Sequence, residues 1–304
     1  MGPRLSAIPG AVALNLTGGM TKNVDEQPIL VLGGTGKTGR RVVDRLVKLD
    51  RPVRVGSRSG EPPFDWTDRR TWASVLDGVS SVYLVYYPDL AAPDALATVR
   101  SFTEQAVAGG IERLVLLSGR GEEEAELSER TVQDSGVAWT IVRASWFSQN
   151  FSEDFLTDSI RGGEVVLPAG NVPEPFVDAH DIADIVVAAL TGNGHAGQLY
   201  EVTGPRLLTF AEATSEIGDA LGREIRYRSV SPEEYAAVLA GHDVPAELAA
   251  VLTELFGKVL DGRNAQLTDG VQRALGRRPR DFTDYARSAA AAGAWDTSPG
   301  GNRA

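Results

Sequence analysis

Residues 33–41, GGTGKTGRR, overlay two phosphate-binding patterns that predict different chemistry. Gly36, Lys37 and Thr38 match the end of a nucleoside-triphosphate loop, whereas Gly33 or Gly34, followed by Gly36 and Gly39, has the spacing of a dinucleotide loop. The triphosphate pattern needs a glycine at position 31, where the chain has Val31. No later apolar run ends in an aspartate placed to hold magnesium, so the dinucleotide pattern stands. Its spacing has a physical reason. Gly33 and Gly34 permit a tight turn, Gly36 lets the main chain approach a pyrophosphate, and Gly39 lets the following helix close on the strand. The helix start adds unpaired N–H donors and a positive dipole end, with Thr35, Lys37 and Thr38 as neighbouring polar side chains.

The next strand bears on the choice of dinucleotide. An NAD site places Asp or Glu about twenty residues beyond the glycines to accept from a ribose hydroxyl. Here the chain reads Val53-Arg54-Val55-Gly56-Ser57-Arg58-Ser59, with no acid. Arg58, assisted by Ser57 or Ser59 and by Lys37, suits a 2′-phosphate, and the expected cofactor is NADP(H).

These residues need a scaffold, and the apolar pattern supplies one. Short apolar runs at 29–32, 52–56, 82–86, 114–117 and 139–142 alternate with helical stretches at 38–49 and 94–108, as a parallel sheet buried on both faces requires. The predicted fold is α/β, a Rossmann-type doubly wound parallel sheet with a smaller, helix-rich C-terminal substrate lobe. The expected layout is a flexible extension over 1–27, a nucleotide-binding core over 28–204 with 146–175 contributing to the lobe, the lobe over 205–296, and a tail over 297–304. Residues 181–190 read as a helix, 198–203 as a strand and 224–227 as a short strand. The run Glu122-Glu123-Glu124 reads as a solvated helix start.

The 304 residues carry a net charge of -11, which opposes a nucleic-acid or anionic-lipid footprint. Cysteine is absent, excluding disulfides and thiolate chemistry, and the first apolar run, 11–14, is too short to span a membrane. The expectation is a cytoplasmic protein, monomeric or homodimeric, with Met20 a second candidate start. His180, His195 and His242 are too dispersed for a metal site, and none is predicted. His180 reads as a structural hydrogen-bonding residue and His242 as a candidate acid or substrate contact.

The string Gly33–Gly39 after Ile29–Val31, then Phe64-Asp65-Trp66, Val82–Val85, Trp139–Arg143, Trp146–Phe151 and Asp181-Ile182-Ala183, resembles the NmrA-like NAD(P)H-binding proteins over residues 28–296. These are atypical short-chain dehydrogenases. The resemblance implies NADP(H) and activity as a quinone or ene reductase, a tailoring enzyme of secondary metabolism, or a redox-sensing regulator. It also implies that Asp65 and Trp66 lie by the adenine, that Val85, Tyr86 and Tyr87 line the ribose and nicotinamide, and that Ser118, Gly119 and Ala144, Ser145, Trp146 and Phe147 reach the nicotinamide.

One part of the superfamily's pattern is missing. None of the seven tyrosines has Lys four residues later, so the usual Tyr–Lys proton relay is excluded. Hydride transfer to a conjugated carbonyl or quinone needs less acid help, because the acceptor spreads the negative charge. The expected function is therefore NADPH-dependent reduction of a conjugated or quinone-like aromatic small molecule, with Ser118, Tyr86, Asn150 and His242 as catalytic candidates. The alternative is a non-catalytic NADP(H)-sensing regulator that binds a protein partner.

Overall fold

The computed structural model describes residues 27–241, 256–257 and 260–296. Its centre is one six-stranded parallel sheet. The strands are β1 (Ile29–Leu32), β2 (Val53–Gly56), β3 (Ser81–Leu84), β4 (Arg113–Gly119), β5 (Ala138–Ala144) and β8 (Gln198–Val202), in the order β2-β1-β3-β4-β5-β8. Residues of β1 and β3 are buried throughout, because helices cover both faces. On one face α2 (Trp72–Leu76), α3 (Ala95–Ala108) and α4 (Glu123–Gln133) pack Trp72, Phe102, Ala125 and Val132 against Leu30, Leu84, Leu114 and Leu116. On the other, α1 (Lys37–Lys48) and α6 (Ala179–Thr191) pack Val42, Leu46, Ile182 and Val186 against Val31, Tyr83, Val115 and Val142.

Two of these strands run further than their apolar runs predict. β4 continues through Ser118 and Gly119, which pair with Arg143 and Ala144 of β5, so polar residues are carried to the carboxyl edge inside regular structure. At the opposite edge Arg113 donates to the carbonyls of Ala189, Leu190 and Gly192, satisfying the last turn of α6.

A third cluster forms the lobe. α5 (Thr157–Gly162), β6 (Glu164–Leu167), β7 (Pro173–Glu174), β9 (Leu208–Thr209), α7 (Phe210–Leu221), β10 (Arg226–Ser229) and α8 (Pro232–Gly241) surround Phe151, Phe176, Phe210, Phe256 and Phe282. β6 pairs with β10 in parallel and β7 with β9 in antiparallel, so residues 164–174, expected only to contribute to the lobe, supply two strands. α7 begins with a capping box, Thr209 accepting from the Glu212 N–H while Glu212 accepts from the Thr209 N–H. Not all of 205–296 joins the lobe. α9 (Gly270–Leu275) returns to the sheet, with Gly270 against the Glu201 backbone and Val271 in the α1/α6 layer, while α10 (Phe282–Ala291) packs on α7. Among the described residues no helix is long and apolar enough to cross a membrane.

Candidate active site

The glycine loop joins β1 to α1, and its glycines do three separate jobs. Gly33 has φ +61°, a left-handed conformation that favours glycine. A side chain at Gly39 would lie 2.7 Å from the Gly33 carbonyl carbon, so this glycine permits the helix to touch the turn. At Gly36 the only near neighbour among the described residues would be the Gly33 carbonyl oxygen at 3.2 Å, so this position opens outward. Gly36 is also the N-cap of α1 and supplies no side-chain acceptor. The first N–H groups of α1 therefore stand at an open cradle, which fits a pyrophosphate. Thr35 and Gly36 are exposed there, whereas Thr38 is buried and accepts from the Tyr83 hydroxyl at 3.0 Å, a packing role.

The adenine end forms beyond β2. Arg58 is exposed, and Ser57 Oγ lies 3.4 Å from Ser59 Oγ. Asp65 accepts from the Thr67 N–H and hydroxyl, each at 2.8 Å, and these bonds, with Arg58 nearby, hold its carboxyl below the usual carboxylate range. Trp66 donates to the Val85 carbonyl at 3.2 Å and packs on Tyr86 with ring centroids 5.0 Å apart. Tyr86 is thereby a core residue, its phenol pushed up by burial, while Tyr87 is 75% exposed. Val85 sits beside the Gly33 position.

Lys37 does not join Ser57 and Arg58. Its ammonium donates to Asn150 Oδ1 at 2.8 Å and to Asp154, and it lies 5.9 Å from the Phe147 ring centroid. Arg40 and Arg41 extend the same contact by pairing with Glu153. Burial pushes the Glu153 carboxyl up, but the two guanidinium groups outweigh it and hold it low. The start of α1 is thus clamped to the turn Ser148–Phe151 and the residues after it. Gln149 secures the other side, donating to Asp178 and accepting from the Ala179 N–H at the start of α6.

The remaining predicted residues divide. Ser118 is 4% exposed and its hydroxyl has no partner among the described residues. Ser145 accepts from the buried Arg120 at 3.0 Å, so its hydroxyl is engaged. Trp146 turns into the lobe, stacked on Phe256 at 5.2 Å, its indole N–H buried without a partner among the described residues. Phe147 bridges Val177 at the mouth of the sheet. His180 meets Arg45 at 3.0 Å through Nδ1, the structural role expected; burial, with Arg41, Arg45 and Arg280 nearby, lowers its pKa. His242 lies outside the described residues.

Three charged residues at this edge escaped the sequence. Arg120 crosses beneath the lobe to the Asn264 and Gln266 carbonyls. Glu174 is fully buried, both carboxyl oxygens lack partners among the described residues, and burial pushes it up to about 7 despite Arg120. Glu122 is only half-buried, but it is not the solvated residue its acidic run suggests, since its carboxyl folds back onto β4, where a side chain at Gly119 would lie 2.6 Å from its carboxyl carbon. No local motif marks any of them; each environment is assembled from distant segments. A groove of about 690 Å³ between α3 and α4, lined by Leu96, Arg100, Val107, Leu127 and Arg130, lies on the helical face, away from these groups.

No family model matches the chain. It is 30% identical over 276 residues to prestalk A differentiation protein A of Dictyostelium discoideum, covering 85% of this chain and 91% of that one. It is 32% identical to the NAD(P)H azoreductase of Xenophilus azovorans, covering 87% and 98%, and 32% identical to agroclavine dehydrogenase of Claviceps fusiformis, covering 84% and 95%. In fold it is similar to the triphenylmethane reductase of Citrobacter sp., with a TM-score of 0.72 and 18% identity over 86% of this chain and 99% of that one. It is also similar to Nmra, a negative transcriptional regulator solved with NAD, with a TM-score of 0.63 and 18% identity over 86% and 95%. Sequence, sheet order and glycine loop agree, and the chain belongs to the NmrA-like family of NAD(P)H-binding proteins, atypical members of the short-chain dehydrogenase/reductase superfamily.

Proposed function

We propose that the protein is an NADPH-dependent oxidoreductase of conjugated or quinone-like aromatic small molecules, acting in the cytoplasm as a tailoring enzyme of secondary metabolism. The observation that carries this reading is the open, side-chain-free start of α1 at Gly36, followed after β2 by the exposed Arg58 in place of a carboxylate. The α1 N–H groups would hold the pyrophosphate, Arg58 and Ser57 the 2′-phosphate, and Asp65 the adenine amine. Bound there, NADPH would supply a hydride at the carboxyl edge of β3, β4 and β5. Azoreductase and agroclavine dehydrogenase, both relatives across most of their length, are redox enzymes by name, which supports chemistry over sensing.

The substrate position would fall between that edge and the lobe, with Ser118, Trp146, Phe147 and Asn150 as the residues proposed to flank it. An absorbance screen of NADPH oxidation tests the proposal with quinones, azo dyes and enones, against unconjugated ketones as the contrast. Turnover confined to the conjugated acceptors is expected. Tight NADPH binding without oxidation by any acceptor would instead favour the NADP(H)-sensing alternative.

A further inference from the structure

Glu174 is 0% exposed, yet neither of its carboxyl oxygens has a partner among the described residues. A buried carboxyl needs hydrogen bonds whether it is ionised or protonated, so the side chain is built for a partner that the fold itself does not supply. Its direction is set by the β7–β9 pair. Glu174 stands directly opposite Leu208, so both side chains leave the pair on one face, and Leu208 belongs to the apolar cluster of the lobe. Trp146 brings a second unsatisfied group to the same cluster. Its indole stacks on Phe256 and meets Phe210 edge-on at 5.9 Å, and its buried N–H has no partner among the described residues. The backbone joins the two positions, because the Val177 N–H, three residues beyond Glu174, donates to the Trp146 carbonyl at 2.9 Å.

The surrounding charges decide what kind of partner fits. Arg120 acts on Glu174 without bonding to it, because its Nη1 donates to Ser145 Oγ and to the Asn264 and Gln266 carbonyls while its Nε faces Glu201 at 3.5 Å. Asp261 adds a second negative charge within reach; it is exposed, so the Glu174 carboxyl lies close under the surface of the lobe. A neutral hydroxyl could satisfy one oxygen but would leave the charge uncompensated. A cation satisfies both needs, and aromatic ring faces beside a carboxylate are the surroundings that stabilise an organic cation taken out of water.

Building on the reductase reading, we propose that Glu174, with the rings of Trp146, Phe210 and Phe256, forms a subsite for a positively charged nitrogen carried by the substrate, an ammonium group attached to the conjugated part that takes the hydride. Glu174 takes no part in bond making. Its carboxylate pairs with the ammonium group, and that pairing selects acceptors by charge and holds the conjugated part toward the carboxyl edge of the sheet. Binding of the cation also selects the ionised form of a carboxyl that burial alone keeps partly protonated. The chain's net charge of -11 favours the approach of such molecules.

The test uses two acceptors that differ in charge but scarcely in shape: a naphthoquinone bearing a trimethylammonium group on a two-carbon arm, and its uncharged tert-butyl isostere. At pH 8, above the Glu174 value of about 7, the wild type should show a KM about tenfold lower for the cationic quinone, with similar kcat for both. Glu174→Gln, whose fold is checked by circular dichroism and NADPH affinity, should lose that preference through KM and treat the isostere as the wild type does, while Glu174→Asp should restore part of it. Calorimetric titration of each quinone into the protein loaded with NADP⁺ reads the same preference without turnover. Equal affinity of the wild type for the two quinones, or a preference that survives in Glu174→Gln, overturns the subsite, and the reductase reading stands wherever both quinones are still reduced. A preference that depends on Glu174 in the titration, with no oxidation of NADPH, supports the subsite and overturns the reductase reading.

Discussion

On the proposed function, cofactor preference comes down to the charge of one exposed side chain, Arg58. Arg58→Ala should weaken NADPH binding by about 1.5–3 kcal/mol, the range for hydrogen bonds to charged groups, and leave NADH unaffected. Calorimetric titration with both nucleotides checks this, and equal losses would assign Arg58 no role at the 2′-phosphate. Arg143 presents the opposite situation, a cation held inside. It donates to both oxygens of Glu129, which is 2% exposed, at 2.8 and 2.5 Å. Arg143→Met should cost about 3–5 kcal/mol in urea unfolding, because it leaves that carboxylate buried without its main partner. A double variant that also replaces Glu129 with Met should recover much of the loss; an additive penalty would deny the pair. The glycine loop was legible from sequence because the geometry of its turn is local. Glu122 and Glu174 were not, since Asp89 and burial beneath the lobe set their character, and neither is near in sequence.

The β1–α1 turn assigns stability and binding to different glycines. Gly36→Val should keep the circular dichroism spectrum and Tm close to wild type while abolishing dinucleotide binding, because its side chain would project into the cradle. Gly39→Ala should do the reverse in kind, costing about 2–3 kcal/mol of stability as its methyl meets the Gly33 backbone. If both variants bind and melt alike, the turn carries no such division. The six core strands were legible because burial on both faces demands short unbroken apolar runs. β6, β7 and β9 were not, since strands as short as Pro173–Glu174 have no period to detect and exist only through their partners, whereas the short strand expected at 224–227 is present as β10, Arg226–Ser229. Lys37 shows the same limit at the site: its position at the start of α1 was predicted, but its direction toward Asn150 and Asp154 depends on a segment more than a hundred residues away.

Across the whole molecule, two carboxyl groups raised above their ordinary range, Glu174 and Glu122, set a pH response. Glu174 titrates near 4.5 when free of the fold and at about 7 within it, so the folded state holds a proton that the unfolded chain releases. That stabilisation is complete below 4.5 and is lost as pH rises through about 7, on the order of 2–3 kcal/mol. Glu122 adds a loss of the same sign that continues to about 8. Urea unfolding should therefore show a less stable protein at pH 8 than at pH 5.5, and Glu174→Gln should flatten the slope; an unchanged slope would mean that Glu174 gains a compensating partner on ionising. The Lys37 tie has its own consequence at this scale. Lys37 stands at the start of α1 and its ammonium holds Asn150 and Asp154, so on the proposed function one tie joins the nucleotide cradle to the segment proposed to flank the acceptor, and whatever alters its hold at one end alters affinity at the other. The two occupants then become reciprocal ligands, each changing the other's dissociation constant by the same factor. Lys37→Met should bring that factor close to one when NADPH affinity is measured with and without a saturating acceptor analogue, and the order in which the two ligands arrive should cease to matter.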